Sequence, residues 1–207
     1  GEKGYEIYVR DTHENAEKVW NKVLEDGEEF GLMVIAPAHH RRIAAGILSW
    51  GQDLDHETSP FQVNLAYQVP RNKKSDYIGK AELERQRDVI ECGEAPFKMK
   101  MVGITLGGKE ITDYAPDFWL VADTEGNDMG YVTSPWWSPE LETNIALAWV
   151  PWSSSEVGTK LLVKLPDEYS VTPGEPVEGE VVDVPFRQSV NPNKREVEAA
   201  KGKDFAE

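Results

Sequence analysis

A carboxylate and a phenol lie two residues apart near the start of the chain, at Glu6 and Tyr8. Residues 5–9 alternate between apolar and polar types, which predicts a strand, and side chains two positions apart on a strand point to the same face. A carboxylate beside an aromatic ring is suited to bind a flat heterocycle that carries adjacent ring N–H and amino donors. An ordinary structural role would explain the same pair.

Two further groups of residues are candidates for ligand binding. The adjacent Arg41 and Arg42 carry guanidinium groups that bind carboxylates through paired hydrogen bonds, although surface ion pairs would also account for them. Trp136 and Trp137, in the segment GYVTSPWWSP, could form an aromatic wall beside a ligand or part of a core or interface. None of these features identifies a function by itself.

The sequence predicts no metal site. His39 and His40 are adjacent, so on a helix they point about 100 degrees apart, and no further ligand lies at a motif spacing. The segment DTEGND at residues 123–128 lacks the later bidentate glutamate of a calcium loop and predicts a hairpin turn instead. The sequence patterns of nucleophile elbows, phosphate loops and dinucleotide sites are absent.

Composition narrows the class of protein. The 207 residues include 22 Lys and Arg against 37 Asp and Glu, a formal charge of -15, which disfavours nonspecific binding to nucleic acid or anionic lipid. A single cysteine, Cys92, excludes an internal disulfide and a cysteine-based zinc site. Because there is no long apolar run and no signal-peptide pattern, we expect a cytoplasmic protein.

The first half of the chain is predicted to carry the helices. One helix begins near Asp11 or Thr12 and ends at Gly27, and its apolar stripe is predicted to be buried. The members of this stripe are Ala16, Val19, Trp20, Val23 and Leu24. A short helix is predicted from Ile35, with Pro37 near its first turn, and it leads to a Trp-Gly turn and an acidic cluster. The small residues at 44–46 would allow another backbone or a flat ligand to approach closely. Residues 61–69 predict a strand, and residues 79–89 predict a mostly solvated helix.

The second half changes to short strands separated by turns. Strands are predicted at residues 98–106, 117–122, 129–134, 143–150, 159–165 and 177–185. Regular spacing of this kind is typical of an antiparallel barrel or jelly roll. The predicted fold class is therefore α+β, with helices and an antiparallel sheet followed by an all-β barrel.

Four blocks of sequence, in this order, resemble the second half of the folate-dependent glycine cleavage T-protein (aminomethyltransferase) family, which includes dimethylsulfoniopropionate demethylase. The blocks are GEKGYEIYV, RRIAAGILSWGQDLDHETSP, YIGKAELERQR and GYVTSPWWSPELETNIALAWVP. The resemblance implies that residues 1–95 form the C-terminal part of a folate-binding α+β domain. Residues 96–187 would then form the β-barrel domain, and residues 188–207 a polar tail.

The resemblance also implies roles for single residues. Glu6 matches the acid that binds the pterin ring of tetrahydrofolate, with Tyr8 beside it. Arg42 would bind the anionic folate tail or hold the carboxylates nearby, and Arg187 would reach the glutamyl tail. Trp136, or the tryptophan that follows it, would line the cleft from the barrel side. Catalytic residues are left unassigned.

The chain departs from the aminomethyltransferase pattern at three positions. Ala38, His39 and Ala44 stand where those enzymes usually carry Arg, Asp and Glu. The wording of RRIAAGILSWG and of the tryptophan-rich block is closer to the demethylase branch. We therefore predict transfer of a methyl or aminomethyl group from a small donor to N5 of tetrahydrofolate. Glycine cleavage, aryl O-demethylation and a noncatalytic folate-binding or docking module stay as alternatives.

The chain opens without Met and with a segment typical of a protein interior, so we expect a fragment. The predicted partners are a small methyl donor and the missing N-terminal half of the same protein, with neither nucleic acid nor membrane. Because the resemblance assigns the donor pocket and much of the folate cleft to that half, the 207-residue chain alone is expected to have little activity.

Overall fold

The computed structural model describes residues 4–71 and 73–186. It divides into two compact units, the first ending at Ala38 and the second beginning at His39. The predicted position of Arg187 lies outside the described residues, and the predicted domain boundary at residue 95 stays a prediction. No helix in the described part of the chain is long and apolar enough to cross a membrane.

The first unit is built on one helix, α1, at Thr12–Gly27, followed by a 3-10 turn at Glu28–Phe30. The predicted bounds of this helix are confirmed, but its predicted burial is wrong, because no residue of α1 is buried within the described structure. Trp20, in the centre of the apolar stripe, is 54% exposed. A unit of fewer than 40 residues lacks a second layer against which the stripe can pack.

The predicted strand at residues 5–9 is also wrong, since the structure gives residues 4–9 no strand or helix. The alternation of side chains is present in the sequence, but a strand forms only when its backbone amides and carbonyls pair with a neighbour. The described residues provide no neighbour to this segment.

The second unit begins with a short helix, α2, at His39–Ala44. The chain turns there because Gly46 has a left-handed backbone with φ of +69°, and its amide donates to the Ile43 carbonyl at 2.9 Å. A Cβ atom on Gly46 would lie 2.5 Å from Cγ1 of Val184. The predicted close approach at residues 44–46 therefore involves a segment of this same unit.

Residues 61–69 do not form the predicted strand but turns and a 3-10 helix at Ala66–Gln68. Asn64 has φ of +61°, which breaks an extended conformation, and the Leu65 amide donates to the Pro60 carbonyl at 2.9 Å. The aromatic and branched residues that suggested a strand are buried as single anchors instead, as at Val63.

The predicted helix at residues 79–89 is confirmed as α3, which spans Lys80–Glu91. Half of the residues of α3 are exposed, fewer than predicted, and its one buried residue is Gln86. The Gln86 side chain accepts a hydrogen bond from the Ser59 hydroxyl at 2.6 Å. This contact joins α3 to the loop that follows α2.

Six antiparallel strands of the described structure close into a barrel, which confirms the predicted fold class. In chain order they are β1 Met99–Leu106, β2 Trp119–Ala122, β3 Asp128–Ser138, β4 Thr143–Pro151, β5 Lys160–Val163 and β6 Val177–Val182. Their order around the barrel is β1-β4-β3-β2-β5-β6. The register of β3 against β4 shifts between Val132 and Ser134, which marks a bulge.

The core of the second unit has two parts, one on each side of the barrel wall. The barrel interior is filled by aliphatic residues that include Ile104, Val121 and Ala148. Outside the wall, Ile43 of α2 packs against Leu147 of β4. Because β4 contributes to both clusters, its residues 144–150 are all buried. The barrel wall therefore fixes where α2 and the loop after it lie.

A matched pair of glycine substitutions tests the close approach at α2. Gly46→Ala and Gly51→Ala both place a side chain on a left-handed backbone, which costs about 1 kcal/mol, but nothing lies within 4 Å of a Cβ on Gly51. Gly46→Ala is expected to lower the free energy of unfolding by about 1–3 kcal/mol more than Gly51→Ala, because of the overlap with Val184. Urea denaturation of the two variants measures the difference, and equal losses would contradict this packing.

Candidate functional site

The candidate site is centred on a buried carboxylate, Asp53, which is 1% exposed. The chain after α2 turns back on itself, and the Asp53 amide donates to the Ser49 carbonyl at 2.8 Å. Its Oδ2 atom accepts from the Ser49 amide at 2.7 Å and from Nη1 of Arg42 at 2.9 Å. A buried carboxylate stays ionised only when donors of this kind replace water.

The other carboxylate oxygen is held by the barrel. Oδ1 of Asp53 accepts from the Thr133 hydroxyl at 2.6 Å and from the Ser134 hydroxyl at 2.6 Å. Consecutive residues of a regular strand point to opposite faces, but the bulge between Val132 and Ser134 breaks that alternation. Both hydroxyls can therefore reach the same oxygen. The indole N–H of Trp149 donates to the Asp53 backbone carbonyl at 2.9 Å.

Arg42 is the cation of this cluster, and its side chain is mostly buried. A guanidinium has five N–H donors, and in this structure each one has an acceptor. The acceptors are Nδ1 of His39 at 2.9 Å, the Ile47 carbonyl at 3.1 Å, Oδ2 of Asp53 at 2.9 Å, Oε1 of Gln52 at 3.3 Å and Oγ of Ser134 at 2.8 Å. This arrangement favours the second predicted role of Arg42, that of holding a nearby carboxylate. Its assignment as a cofactor-binding residue stays a prediction.

A cluster of aromatic rings lies beside the Arg42 guanidinium. The His39 ring is 4.1 Å from that of Tyr114 and 5.2 Å, edge to face, from that of Trp136, between ring centroids. Tyr114 is 62% exposed, and its hydroxyl donates to Oε1 of Gln52 at 3.4 Å. The structure thus brings two predicted site residues, Arg42 and Trp136, into contact with the same histidine.

The hydrogen bond from Arg42 fixes the protonation of His39. Nδ1 of His39 accepts the hydrogen bond from Nε of Arg42, so the proton of the neutral ring lies on Nε2. Burial and the positive charge of Arg42 lower the pKa of His39, and the Asp53 carboxylate opposes this only in part. His39 is therefore a neutral ring with one N–H donor at pH 7.

Two other predicted site residues, Glu6 and Tyr8, lie in the first unit and contact each other. The Tyr8 hydroxyl donates to Oε2 of Glu6, although the segment is not a strand. This hydrogen bond raises the pKa of Tyr8. Both side chains are exposed, so a carboxylate and a phenol lie side by side and accessible.

The pair His39 and His40 does not belong to a larger group of potential ligands. Within residues 4–71 and 73–186 there is no group of three or more His, Cys, Asp or Glu side chains that could hold a metal ion. Among the described residues, the charged groups that shift the pKa of His39 are Arg42 and Asp53.

The sequence analysis missed Asp53, Gln52, Thr133, Ser134 and Tyr114 as site residues. One signal was available, because Thr133 and Ser134 are adjacent polar residues between the apolar neighbours Val132 and Pro135 in β3. Asp53 had no such signal, since it lies in a cluster of acids whose other members, such as Asp55, are exposed.

Removing the cation tests the buried pair. Arg42→Met leaves the Asp53 carboxylate buried without its counterion, which costs about 3–5 kcal/mol of folding free energy. The control is Arg85→Met on α3, where Arg85 pairs with Glu82 at 2.6 Å but both side chains are more than half exposed. Breaking that solvent-exposed pair is expected to leave the free energy of unfolding almost unchanged. Urea denaturation measures the free energy of unfolding of both variants. Similar losses would contradict the role of Arg42 as the counterion of Asp53.

The lowered pKa of His39 predicts a pH dependence. The unfolded chain binds a proton near the ordinary value of 6.5, whereas the folded protein resists it, so acid favours unfolding. The contribution of His39 is complete above that pH and is lost as the pH falls towards the lowered value. The difference in unfolding free energy between wild type and His39→Phe should therefore shrink on acidification. NMR titration of the His39 ring is the direct check, and a pKa at or above 6.5 would contradict it.

Comparison with known proteins matches this chain in two separate stretches. The family model described as "GCVT N-terminal domain" matches residues 1–73, and the model "Glycine cleavage T-protein C-terminal barrel domain" matches residues 100–187. The second match covers the six strands of the barrel except Met99, the first residue of β1. The first includes α1, α2 and the Asp53 turn.

Proteins similar to this chain are named aminomethyltransferases. An aminomethyltransferase of Thermotoga neapolitana is 34% identical over 191 residues, which are 90% of this chain and 46% of that protein. An aminomethyltransferase of Bacillus subtilis is 29% identical over 188 residues, 90% of this chain and 47% of that protein. The chain thus spans about half the length of these relatives.

A solved structure shares the fold. The glycine cleavage system aminomethyltransferase T from Bartonella henselae superposes with a TM-score of 0.65 at 23% identity. The match covers 83% of this chain and 43% of that one.

Proposed function

Because the chain belongs to the glycine cleavage T-protein family, we propose that it forms the second half of a tetrahydrofolate-dependent one-carbon transferase. The observation that carries this proposal is the order of the two matches, an N-terminal-domain match followed by the C-terminal barrel. The whole enzyme would transfer an aminomethyl or methyl group from a small donor to N5 of the pterin. Holding the donor against N5 would supply most of the rate, since proximity alone is worth roughly 7–11 kcal/mol.

The paired side chains of Glu6 and Tyr8 support folate binding. The Glu6 carboxylate would accept hydrogen bonds from the ring N–H and amino group of the pterin, and Tyr8 would lie beside the ring. The hydrogen bond between the two residues supports this reading, because it holds the carboxylate in one orientation. Catalytic residues are not assigned to this chain.

In this proposal Arg42 serves the site as a positioning residue. Its five donors are engaged with the protein, so it would order His39 and Asp53 instead of binding the folate tail. Trp136 and Tyr114 would present their rings to the cleft, with the Nε2–H of His39 as a neutral donor between them. The contribution proposed for Arg187, a contact with the glutamyl tail, concerns a residue outside those described.

Two donor classes compete within this function. The names of the relatives favour an aminomethyl donor. A sulfonium or other methyl donor of the demethylase type is favoured by the residues Ala38, His39 and Ala44, which replace three charged residues of the aminomethyltransferase pattern. For a cationic donor, each aromatic face would stabilise the charge by about 0.5–2 kcal/mol. A donor screen that includes aryl methyl ethers separates these classes.

Substitution of Glu6 tests the folate site. In the full-length protein, Glu6→Gln is expected to weaken tetrahydrofolate binding by at least about tenfold. The two charge-assisted hydrogen bonds that the Glu6 carboxylate would accept from the pterin are worth more than about 1.4 kcal/mol. Glu14→Gln, an exposed acid in the first turn of α1, is the control and should leave the affinity unchanged. Calorimetry under anaerobic conditions gives both values.

A thermal-shift experiment separates the enzyme from a noncatalytic module. A ligand that binds only the folded state must raise the melting temperature. No shift at saturating tetrahydrofolate would end the folate proposal and favour a docking module. Turnover by the 207-residue chain alone would contradict the view that a preceding half is needed.

A further inference from the structure

We infer that the rings of His39, Tyr114 and Trp136 form a binding subsite for an uncharged aromatic group that carries an oxygen acceptor. These three residues of the second unit are the ring cluster. Two kinds of ligand group have this chemistry, an aryl methyl ether and an aromatic amide. The inference rests on the proposed function in that it places such a group in the cleft of a folate-dependent transferase. It adds which residues recognise the group and by what contacts.

The ring cluster carries a hydrogen-bond donor that the protein leaves without an acceptor. Nδ1 of His39 accepts from Nε of Arg42 at 2.9 Å, so the ring proton is on Nε2. Within residues 4–71 and 73–186 no group accepts from this Nε2–H, although His39 is half-buried. The indole N–H of Trp136, which is also half-buried, has no acceptor among the same residues. Because shielded N–H groups are normally paired, these donors favour a ligand that supplies an acceptor.

The other donors around the ring cluster are engaged within the protein. All five N–H donors of Arg42 have acceptors. The Gln52 side-chain amide donates to the Thr133 carbonyl at 2.8 Å, and its oxygen accepts from both Arg42 and the Tyr114 hydroxyl. A ligand oxygen therefore meets an available donor at His39 and not at the guanidinium.

The charges beside the ring cluster favour neither a cation nor an anion. The Arg42 guanidinium contacts His39, whereas the carboxylate of its counterion Asp53 is 1% exposed and not accessible to a ligand. An N–H donor presents the positive end of its dipole, so a cation at Nε2 would be repelled by this dipole and by Arg42. An anion would leave water without a free counterion, in a chain of formal charge -15. The group that fits is uncharged.

The arrangement of the rings favours a flat group. The Tyr114 ring lies 4.1 Å from the His39 ring, with 32° between their planes, and Trp136 contacts His39 edge to face. Tyr114 is 62% exposed, so part of its ring is free to contact a ligand. Its hydrogen bond to Gln52, at 3.4 Å, is longer than the usual value of about 2.7–2.8 Å, so the ring can adjust. Aromatic side chains prefer offset-stacked or edge-to-face partners, and a planar ligand ring provides one.

Four small probes test the inference by NMR titration of the 207-residue chain at about pH 7. Anisole is an aryl methyl ether, benzamide is an uncharged aromatic amide, toluene has the ring without an acceptor, and tetramethylammonium is a cation. Anisole and benzamide are expected to move the Nε2 signal of His39. They should bind at least about fivefold more tightly than toluene, because each gains one hydrogen bond. Tetramethylammonium should leave the signal in place.

Two variants separate the donor from the rings. His39→Phe removes the donor and keeps a ring, so the preference for anisole over toluene should disappear while toluene affinity changes less than about twofold. His56→Phe, at an exposed histidine of the same unit, is the matched control and should keep the preference. Tyr114→Ala, at an exposed position, should weaken anisole, benzamide and toluene by a similar factor. Circular dichroism checks folding, and Tyr114→Ala keeps the inference testable if His39→Phe does not fold.

Titration of the full-length protein distinguishes the two sources of the ligand group. If tetrahydrofolate moves the His39 signal and displaces benzamide, the subsite holds the aromatic amide of the cofactor. If anisole still binds through His39 at saturating tetrahydrofolate, the subsite holds the aryl ether of a methyl donor. Both results support the inference.

Three results would overturn the inference. These are equal affinities for anisole and toluene, a preference that survives His39→Phe, and a His39 signal that moves with tetramethylammonium alone. If anisole binds through His39 but tetrahydrofolate gives no thermal shift, the proposed function fails and the subsite stands. If tetrahydrofolate raises the melting temperature but no aromatic probe moves the His39 signal, the inference fails and the proposed function stands.

Discussion

Burial of the Asp53 carboxylate is the constraint on which the second unit depends. A charge with 1% exposure is tolerated only if every lone pair finds a donor, and here the donors come from Arg42, Ser49, Thr133 and Ser134. They belong to three separate pieces of chain, namely α2, the turn after it and the bulge of β3. Moving any one of them would leave the carboxylate partly unpaired. The ion pair therefore locks α2 and its turn to the barrel wall.

Arg42 connects the buried Asp53 carboxylate to His39 in the candidate site. Its Nε–H is donated to Nδ1 of His39, which leaves the proton of the neutral ring on Nε2. Burial, together with the positive charge of Arg42, lowers the pKa of His39. His39 then lies between the rings of Tyr114 and Trp136. The Arg42 guanidinium is paired within the protein, and the uncharged Nε2–H of His39 is the donor that lies beside the aromatic rings. For the proposed group transfer, which would depend on positioning, such rigidity would be more useful than acid-base strength.

The first unit shows the opposite situation. Its helix forms with the predicted bounds, because helix hydrogen bonds are local, and it does so without burying a single residue. The predicted strand at residues 5–9 stays unpaired within the described structure, because strand hydrogen bonds require a second segment. The exposed pair of Glu6 and Tyr8 lies on this unpaired segment.

The sequence by itself determined what depends on near neighbours: the bounds of α1 and α3, the six strands and the candidates Arg42 and Trp136. Periodicity and turn residues carry that information because they act over a few positions. The strand predicted at residues 5–9 was wrong because the described residues give it no neighbouring strand. The strand predicted at residues 61–69 was wrong because Asn64 has a left-handed backbone. Only the tertiary structure identified Asp53 as the centre of the site, because its barrel partners Thr133 and Ser134 lie 80 and 81 residues away, at a bulge that the strand pattern does not reveal.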